Sequence, residues 1–275
     1  MNLLYCGDSG IEIGVMMSVL SVAEKTSEPL DVYILTAGFS VGDKRFIPIS
    51  EDFSEKLKLA LRDRGRSDRV WLFDLTKEIL SEPPLANMST RFTPMCMLRL
   101  YADGVADLPE KIMYLDSDVM CVSDPKSLYE TDITEYDIAG VPDRYGSLVF
   151  DGGIFRRRYI NSGVLLLNLK QIKESGCFEK ARRMCADKKM FMPDQTALNK
   201  LAKKKILPRR FNCQKSERMD TVFRHFTTTL HILPYPHSQT VKPWQPERMH
   251  KVLKNYKYDS LYYECEERMK GIIKK

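Results

Sequence analysis

The sequence lacks several features that would place it in a familiar class. No apolar run reaches the roughly 18 residues that a membrane-spanning helix needs. The first six residues carry no basic stretch and lead directly into Gly7-Asp8, which is not typical of a signal peptide. The seven cysteines show no C-x-x-C spacing, which argues against a disulfide framework and against a zinc knuckle. Together these absences predict a cytoplasmic protein.

Two nucleotide-binding motifs are also missing. The sequence contains no G-x-x-x-x-G-K-[ST] P-loop and no G-x-G-x-x-G dinucleotide fingerprint. A sugar-nucleotide pyrophosphorylase would need a glycine-rich basic loop after its first strand, and the segment Gly7-Asp8-Ser9-Gly10 carries no basic residue. P-loop enzymes, dinucleotide-dependent enzymes and pyrophosphorylases are therefore not expected.

The composition is that of an ordinary globular protein. Hydrophobic residues make up 43% of the 275 residues and charged residues 29%, which suits a chain with a sizeable core. The 43 basic and 37 acidic residues give a net charge of +6, which fits a phosphate-bearing ligand or an anionic membrane surface. Beyond a basic segment over residues 203–210 there is no basic and aromatic array, so no nucleic-acid partner is predicted.

The N-terminal half alternates between short apolar runs and amphipathic segments, which is typical of βαβ units around a mostly parallel sheet. Ser9 and Glu12 are spaced as a capping box, which predicts that the first helix begins at Ser9. Residues 145–159 show no periodicity and are interpreted as a loop. We predict a domain over 1–245 followed by a helical extension over 246–275. The predicted strands cover 2–6, 31–36, 69–75, 111–115, 137–141 and 164–169, and the predicted helices include 93–103, 170–187 and 194–204.

Two carboxylates follow the strand over 111–115. Asp116 and Asp118 are separated by one residue, so in an extended segment their side chains point the same way. Ligands of open α/β sheets bind beyond the carboxyl ends of the strands, where this pair would lie. Carboxylates and substrate phosphates suit Mg²⁺ or Mn²⁺, so the pair is a candidate metal site; a strand-end turn capped by acids is the alternative.

Five short segments stand in order along nearly the whole chain, namely Asp8, Leu115-Asp116-Ser117-Asp118, Asn161–Asn168, Pro193–Thr196 and Lys242-Pro243-Trp244. Together they resemble glycosyltransferase family 8. The resemblance implies an α/β GT-A fold, which is Rossmann-like, with a mostly parallel central sheet. It also implies a metal-dependent retaining enzyme that moves glucose or galactose from UDP-glucose or UDP-galactose to a saccharide or lipid-linked saccharide. A non-catalytic nucleotide-sugar-binding or scaffold protein with the same fold is the alternative.

The resemblance assigns roles at the nucleotide end of the donor. Asp8 would contact the uracil or the ribose, and Lys242 would hold the diphosphate as a point charge. Asp116 and Asp118 would bind Mn²⁺ or Mg²⁺, with Asp116 also near the ribose and the sugar. Arg99 would reach the donor sugar and the diphosphate. Two other interpretations stay open, namely Asp8 as a helix N-cap and Arg99 as a surface side chain that covers apolar neighbours.

Four more residues would form the donor-sugar pocket. By resemblance Asn161 and Gly163 would shape it, Asp194 would bind sugar hydroxyls, and Gln195 would lie beside the anomeric carbon. The alternatives are a turn cap for Asn161, a helix N-cap for Asp194 and a solvated first-turn side chain for Gln195. The family's chemistry implies that the acceptor attacks from the leaving-group face, so that the diphosphate takes the acceptor proton without a dedicated base.

The sequence departs from the family pattern in two places. Gly10-Ile11 stands where the family usually has Asn-Tyr after its first aspartate. The family's metal-binding histidine lies six residues before the lysine of K-P-W and is usually followed by an aromatic residue and then a glycine. That position is Pro236 here, so we predict His237 as the third metal ligand, with His231 as the alternative.

The C-terminal tail is rich in lysine and tyrosine at helical spacing. One interpretation is peripheral attachment to the inner face of an anionic membrane that carries the acceptor. The other is an amphipathic helix that packs its apolar side chains on the domain and leaves its lysines in solvent. The sequence alone leaves both open.

Overall fold

The chain folds around a central sheet in which the strands predicted from the sequence are adjacent. A computed structural model describes residues 1–90, 94–146, 158–231 and 237–271. The strands of this described part are β1 (Asn2–Gly7), β2 (Asp31–Thr36), β3 (Phe39–Val41), β4 (Lys44–Phe46), β5 (Arg69–Asp74), β6 (Lys111–Leu115), β7 (Val119–Cys121), β8 (Ile138–Pro142), β9 (Ile160–Asn168), β10 (Lys204–Ile206), β11 (Phe223–His225), β12 (Thr229–His231) and β13 (His237–Gln239).

Helices cover both faces of this sheet. A long 3₁₀ helix over Pro94–Gly104 and a π-helix over Met249–Leu253 accompany the α-helices. The α-helices are α1 (Glu12–Ala23), α2 (Glu51–Arg62), α3 (Thr76–Ser81), α4 (Lys126–Tyr129), α5 (Leu169–Ser175), α6 (Cys177–Asp187), α7 (Pro193–Leu201), α8 (Pro246–Arg248) and α9 (Asp259–Met269). No helix of the described residues is long and apolar enough to cross a membrane.

The central sheet has seven strands in the order β10-β8-β9-β6-β1-β2-β5. β6, β1, β2 and β5 run parallel to one another, whereas β9 runs antiparallel to both of its neighbours, β6 and β8. The beginning of β9 therefore lies at the edge where β1 and β6 end. This mixed, mostly parallel α/β architecture confirms the predicted fold class.

The central strands are buried on both faces, which explains their continuous apolar sequences. Along β9 the side chains alternate: Val164 and Leu166 belong to the core that α1 and α2 cover, and Leu165 and Leu167 to the core under the 3₁₀ helix. The two apolar layers hold the carboxyl edge of the sheet rigidly, and that edge carries the candidate site.

Several predicted elements differ in detail from the observed ones. The helix predicted over 170–187 is two helices, because Gly176 adopts φ 64° between α5 and α6. The segment over 93–103 is a 3₁₀ helix in its described part, and the helix over 194–204 ends at Leu201, before β10. Most of the loop predicted over 145–159 lies outside the described residues.

The start of the first helix also differs from the capping-box prediction. Asp8, rather than Ser9, accepts a hydrogen bond from the backbone of Gly10 and caps a 3₁₀ turn, after which α1 begins at Glu12. The Glu12 carboxylate accepts a hydrogen bond from the backbone of Ser50, 3.2 Å away, so it is not available to close a capping box.

The described part of the C-terminal tail packs on the domain. Leu261 and Cys265 of α9 are buried in the same core as α1 and α2. Glu264 forms a two-pronged ion pair with Arg64, with N···O distances of 2.7 and 2.8 Å. The side chains of Leu261 and Cys265 are therefore not available to a membrane surface.

Gly14 of α1 gives a stability prediction. A Cβ there would lie 2.6 Å from Cζ3 of Trp244 and 3.0 Å from the backbone oxygen of Ser117, so Gly14→Ala must displace the indole ring or the loop. Alanine gains about 1 kcal/mol in helix propensity, but overpacking costs about 1–3 kcal/mol. We expect a lower free energy of unfolding in urea, whereas Gly104→Ala, which meets nothing within 4 Å, stays near the parent value. Equal stability of all three proteins would contradict this packing.

Candidate functional site

The candidate site is a cavity at the carboxyl edge of the central sheet. Its volume is about 410 Å³. Three structural elements contribute to its wall: the turn after β6, the beginning of β9 and the first turn of α7. Most of the predicted site residues line it, namely Arg99, Asp116, Asp118, Asn161, Asp194, Gln195 and Lys242.

A group with metal-ligand spacing lies in this wall. The ligand atoms of Asp116, Asp118 and His225 all lie within 4.8 Å of one another. Nε2 of His225 is 3.2 Å from Oδ1 of Asp118 and 3.6 Å from Oδ2 of Asp116. Two carboxylates and one imidazole leave coordination positions for phosphate oxygens, which is a donor set that suits Mn²⁺ or Mg²⁺. The residues present therefore fit a divalent cation.

Asp118 is held as a carboxylate by its neighbours. Burial raises the pKa of its carboxyl group, but the charge of Lys242 and the close contacts with Lys242 and His225 lower it more, so the pKa lies well below its usual range. Lys242 donates to Oδ2 of Asp118 and to the backbone oxygen of Phe226. The ammonium group thus balances the charge of a carboxylate that is 6% exposed.

Strand pairing brings His225 to the carboxylates. β7 follows Asp118 directly and pairs antiparallel with β11, in which His225 lies opposite Val119. The backbone nitrogen of Phe226 also donates a hydrogen bond to the backbone oxygen of Asp118, at 3.1 Å. The short ladder therefore fixes the histidine beside the aspartate.

The structure does not bring the predicted His237 into this group. His237 begins β13, which pairs with β12, and it is not among the residues that line the cavity. The side chain of His231, the alternative, lies outside what the structure describes. The imidazole that lies beside the two carboxylates is that of His225, and a hairpin lengthens the spacing to Lys242 on which the prediction of His237 depended.

Gly163 leaves the space that the histidine occupies. A Cβ at this position would lie 2.0 Å from Cε1 of His225 and 2.7 Å from Oδ2 of Asp116. Both distances are far below van der Waals contact. The glycine does not itself line the cavity, but without it the imidazole and the carboxylate could not lie side by side.

Arg99 is buried and uses its donors within the protein. Its guanidinium donates to the backbone oxygens of Cys96 and Ser162 and to Oδ1 of Asp116, at 2.9, 2.5 and 3.1 Å. It also lies 3.5 Å from Oδ2 of Asp194 and 3.9 Å from the centre of the Tyr114 ring. In this structure Arg99 positions two carboxylates.

Asp194 and Gln195 lie at the start of α7 and face the cavity. Oδ2 of Asp194 is buried, accepts no hydrogen bond within the described residues and lies 3.5 Å from Nε of Arg99. The Gln195 amide accepts from the backbone of Ser162 at 3.0 Å and donates to Asp143 at 3.2 Å. Gln195 is thus held at both ends, which differs from a solvated first-turn side chain.

Asp8 lies apart from the other predicted residues. Its side chain caps the 3₁₀ turn before α1, as the alternative interpretation allowed, and it does not line the cavity.

Sequence reasoning missed His225, Asp143 and Asn212. An aromatic residue follows His225, as it does the family's histidine, but the 17-residue distance to Lys242 hid this signal.

Comparisons with known proteins agree with this geometry. The family model of glycosyl transferase family 8 matches residues 2–247. A lipopolysaccharide 1,2-glucosyltransferase of Escherichia coli is 27% identical over 263 residues, which cover 82% of this chain and 71% of that protein.

Solved structures show the same fold. An active-site mutant of LgtC superposes with a TM-score of 0.69 at 18% identity, over 97% of this chain and 95% of LgtC. The galactosyltransferase LgtC in complex with donor and acceptor sugar analogs gives a TM-score of 0.66 at 18% identity, over 99% of this chain and 100% of LgtC. The fold is therefore the GT-A fold.

The packing at Gly163 predicts a metal-binding defect. Gly163→Ala forces His225 and Asp116 apart, and we expect the affinity for Mn²⁺, measured by electron paramagnetic resonance of the free ion, to fall about 10- to 100-fold. Gly104→Ala adds the same methyl group where it meets nothing and should bind Mn²⁺ like the parent. Parent-like affinity in the Gly163 variant would contradict the assignment of this cluster.

Proposed function

This chain belongs to glycosyltransferase family 8, and we propose that it is a metal-dependent retaining enzyme that transfers a hexose from a UDP-sugar to a saccharide or lipid-linked saccharide. One observation carries this proposal. A cluster of two carboxylates and an imidazole shares a cavity with Asp194, whose buried Oδ2 accepts no hydrogen bond within the described residues. The first feature suits a diphosphate-bound cation, and the second suits a sugar hydroxyl.

Asp116, Asp118 and His225 would hold the cation, which we propose is Mn²⁺ or Mg²⁺. When bound, it supplies positive charge to the diphosphate leaving group. Asp116 is preorganised for this task, because Arg99 and Tyr114 donate hydrogen bonds to its Oδ1 and leave its Oδ2 facing His225. Such preorganised groups need little rearrangement during the reaction.

Lys242 would be the second positive group for the leaving diphosphate. Its ammonium now pairs with Asp118, and its side chain is 27% exposed at the cavity. A cation at Asp118 would repel the ammonium and free it for the phosphate oxygens, which a flexible lysine can follow. This role and the role of Asp118 are thus linked by one contact.

The sugar end of the cavity supports retention. Asp194 would accept a donor hydroxyl, and Asn161 would shape the pocket beside Gln195. Gln195 is neutral and committed to Ser162 and Asp143, so it is a weak nucleophile for a double displacement. We propose that the acceptor attacks from the leaving-group face of an oxocarbenium-like transition state and that the departing diphosphate takes the acceptor proton.

The acceptor class rests on the relatives. The Escherichia coli relative is named as a lipopolysaccharide 1,2-glucosyltransferase, so we propose a lipopolysaccharide-type saccharide as acceptor and a glucose or galactose donor. Contact with a membrane through the tail would use its exposed lysines together with Tyr256 and Tyr263, which are exposed, because Leu261 and Cys265 pack inward.

Substitution of Asp118 tests the metal. Asp118→Asn removes a metal ligand and the partner of Lys242, so we expect turnover to fall by roughly 100- to 1000-fold and Mn²⁺-dependent UDP binding to be lost with it. Asp124→Asn changes an exposed carboxylate that caps Lys126 and should act like the parent. Turnover that persists undiminished in a metal chelator would reject the metal site.

A panel of UDP-sugars tests the reaction class. We expect UDP release from UDP-glucose or UDP-galactose, slowly to water and faster with a lipopolysaccharide-type saccharide. Nuclear magnetic resonance of the product should show an α-linkage from the α-linked donor. A β-linkage would refute retention, and binding of UDP-sugars without any UDP release would indicate a non-catalytic binding protein.

A further inference from the structure

Asn212 is a fully buried amide that neither the sequence pattern nor the proposed reaction assigns to the site. It follows a 3₁₀ turn over Arg209–Phe211, and its side chain is 0% exposed. Its Oδ1 lies 3.1 Å from Nδ1 of His225, and its Nδ2 lies 2.9 Å from Oδ1 of Asn161. The amide therefore connects the metal cluster to the donor-sugar pocket.

The orientation of every amide in this connection follows from its neighbours. The Asp143 carboxylate can only accept, so Asn161 donates its Nδ2 to it, at 2.9 Å. Oδ1 of Asn161 then accepts from the backbone of Gly163 and from Nδ2 of Asn212. This leaves Oδ1 of Asn212 as an acceptor, so Nδ1 of His225 must carry the proton.

The tautomer decides which nitrogen can bind a cation. Because the N–H of Nδ1 donates a hydrogen bond to Oδ1 of Asn212, Nε2 is the unprotonated nitrogen. Nε2 faces Asp118 and Asp116, at 3.2 and 3.6 Å. Metal-binding histidines generally donate their other N–H to an oxygen in this way, and loss of that partner typically costs 10- to 100-fold in metal affinity.

The backbone around Asn212 keeps this amide in place. The amide nitrogen of Cys213 donates to the oxygen of Phe223, and the nitrogen of His225 donates to the oxygen of Cys213, at 2.9 and 3.0 Å. The segment that carries Asn212 thus runs beside β11 in a fixed register. A buried amide held in this manner cannot exchange its partners for water.

We propose that Asn212 is a positioning residue that sets the tautomer of His225 and couples the metal cluster to the sugar-binding amides. The inference rests on the proposed function. The connection continues from Asn161 through Asp143 to Gln195, which faces the cavity. A substitution at Asn212 can therefore affect metal binding, sugar recognition or both. The outcome depends on which of its two hydrogen bonds, to His225 or to Asn161, the new side chain removes.

Two variants separate these effects. Asn212→Leu removes both hydrogen bonds at similar volume, and we expect Mn²⁺ affinity, measured by electron paramagnetic resonance, to fall about 10- to 100-fold. Asn212→Asp keeps an acceptor for Nδ1 of His225 but turns an oxygen toward Oδ1 of Asn161. We expect the Mn²⁺ affinity of this variant to stay within about threefold of the parent. At saturating Mn²⁺, calorimetry should show that the ratio of the affinity for UDP-glucose or UDP-galactose to the affinity for UDP falls about tenfold.

Asn87→Leu is the matched control for the loss of a buried amide. Asn87 is also 0% exposed, but its partners are backbone atoms of Cys185, Lys188 and Met190. It should lower the melting temperature and leave Mn²⁺ affinity unchanged.

The outcomes distinguish this inference from the function on which it rests. Parent-like Mn²⁺ affinity in Asn212→Leu overturns it, and so does an Asn212→Asp protein in which both affinities are lost or both are kept. If Asn212→Leu does not fold, the divided effect of Asn212→Asp decides alone. If the parent binds Mn²⁺ but releases no UDP from any UDP-sugar, the transfer reaction fails, and the Mn²⁺ affinities still decide whether Asn212 positions His225.

Discussion

The buried guanidinium of Arg99 is the group on which the geometry of the site depends. It bridges Asp116 after β6 and Asp194 in α7, and it binds the backbone of Ser162 in β9. Burial lowers its pKa, but Tyr114, Asp194 and Asp116 raise it more, so the pKa lies above its ordinary value and the group stays charged. A buried charge is tolerated only when partners satisfy it, and here those partners are the carboxylates that face the cavity. The contacts that satisfy the buried charge of Arg99 therefore also fix the positions of Asp116 and Asp194.

The carboxylates are close to one another and need positive charge around them. Arg99 supplies it to Asp116 from the core, whereas Lys242 supplies it to Asp118 from the cavity side. The guanidinium is buried with its partners, but the Lys242 side chain is partly exposed. In the proposed function, Asp118 would exchange this lysine for a divalent cation, and the contact between Arg99 and Asp116 would stay in place. The site is thus rigid at Asp116, which Arg99 holds from the core, and adaptable at Lys242, which lies at the cavity.

The predictable part of this structure is the part that depends on local pattern. The β strands and the pair Asp116 and Asp118 follow from apolar runs and from the position of acids at strand ends. The break at Gly176 depends on one glycine in the left-handed region, and the 3₁₀ form of residues 94–104 could not be distinguished from an α-helix by the apolar pattern. Asn212 and Asp143 could not be found from the sequence, because their roles arise only when distant segments form a hydrogen-bonded chain. Arg99 was found by resemblance, but its contacts are structural ones that no short motif describes.

His225, the proposed third metal ligand, shows why sequence spacing is a weaker guide to position than attachment to the fold. His225 is fixed by the register of β11 on β7, and the backbone at Lys242 is held near the site by Trp244, whose ring lies against Gly14 of α1. Each residue is thus attached to the domain on its own side, and the chain between them can lengthen into the hairpin of β12 and β13 without moving either. A loop of this kind costs little additional closure entropy, because that cost grows only slowly with length. The proposed metal cluster of Asp116, Asp118 and His225 therefore depends on the strand that carries the histidine and on the helix that contacts Trp244, rather than on the number of residues between His225 and Lys242.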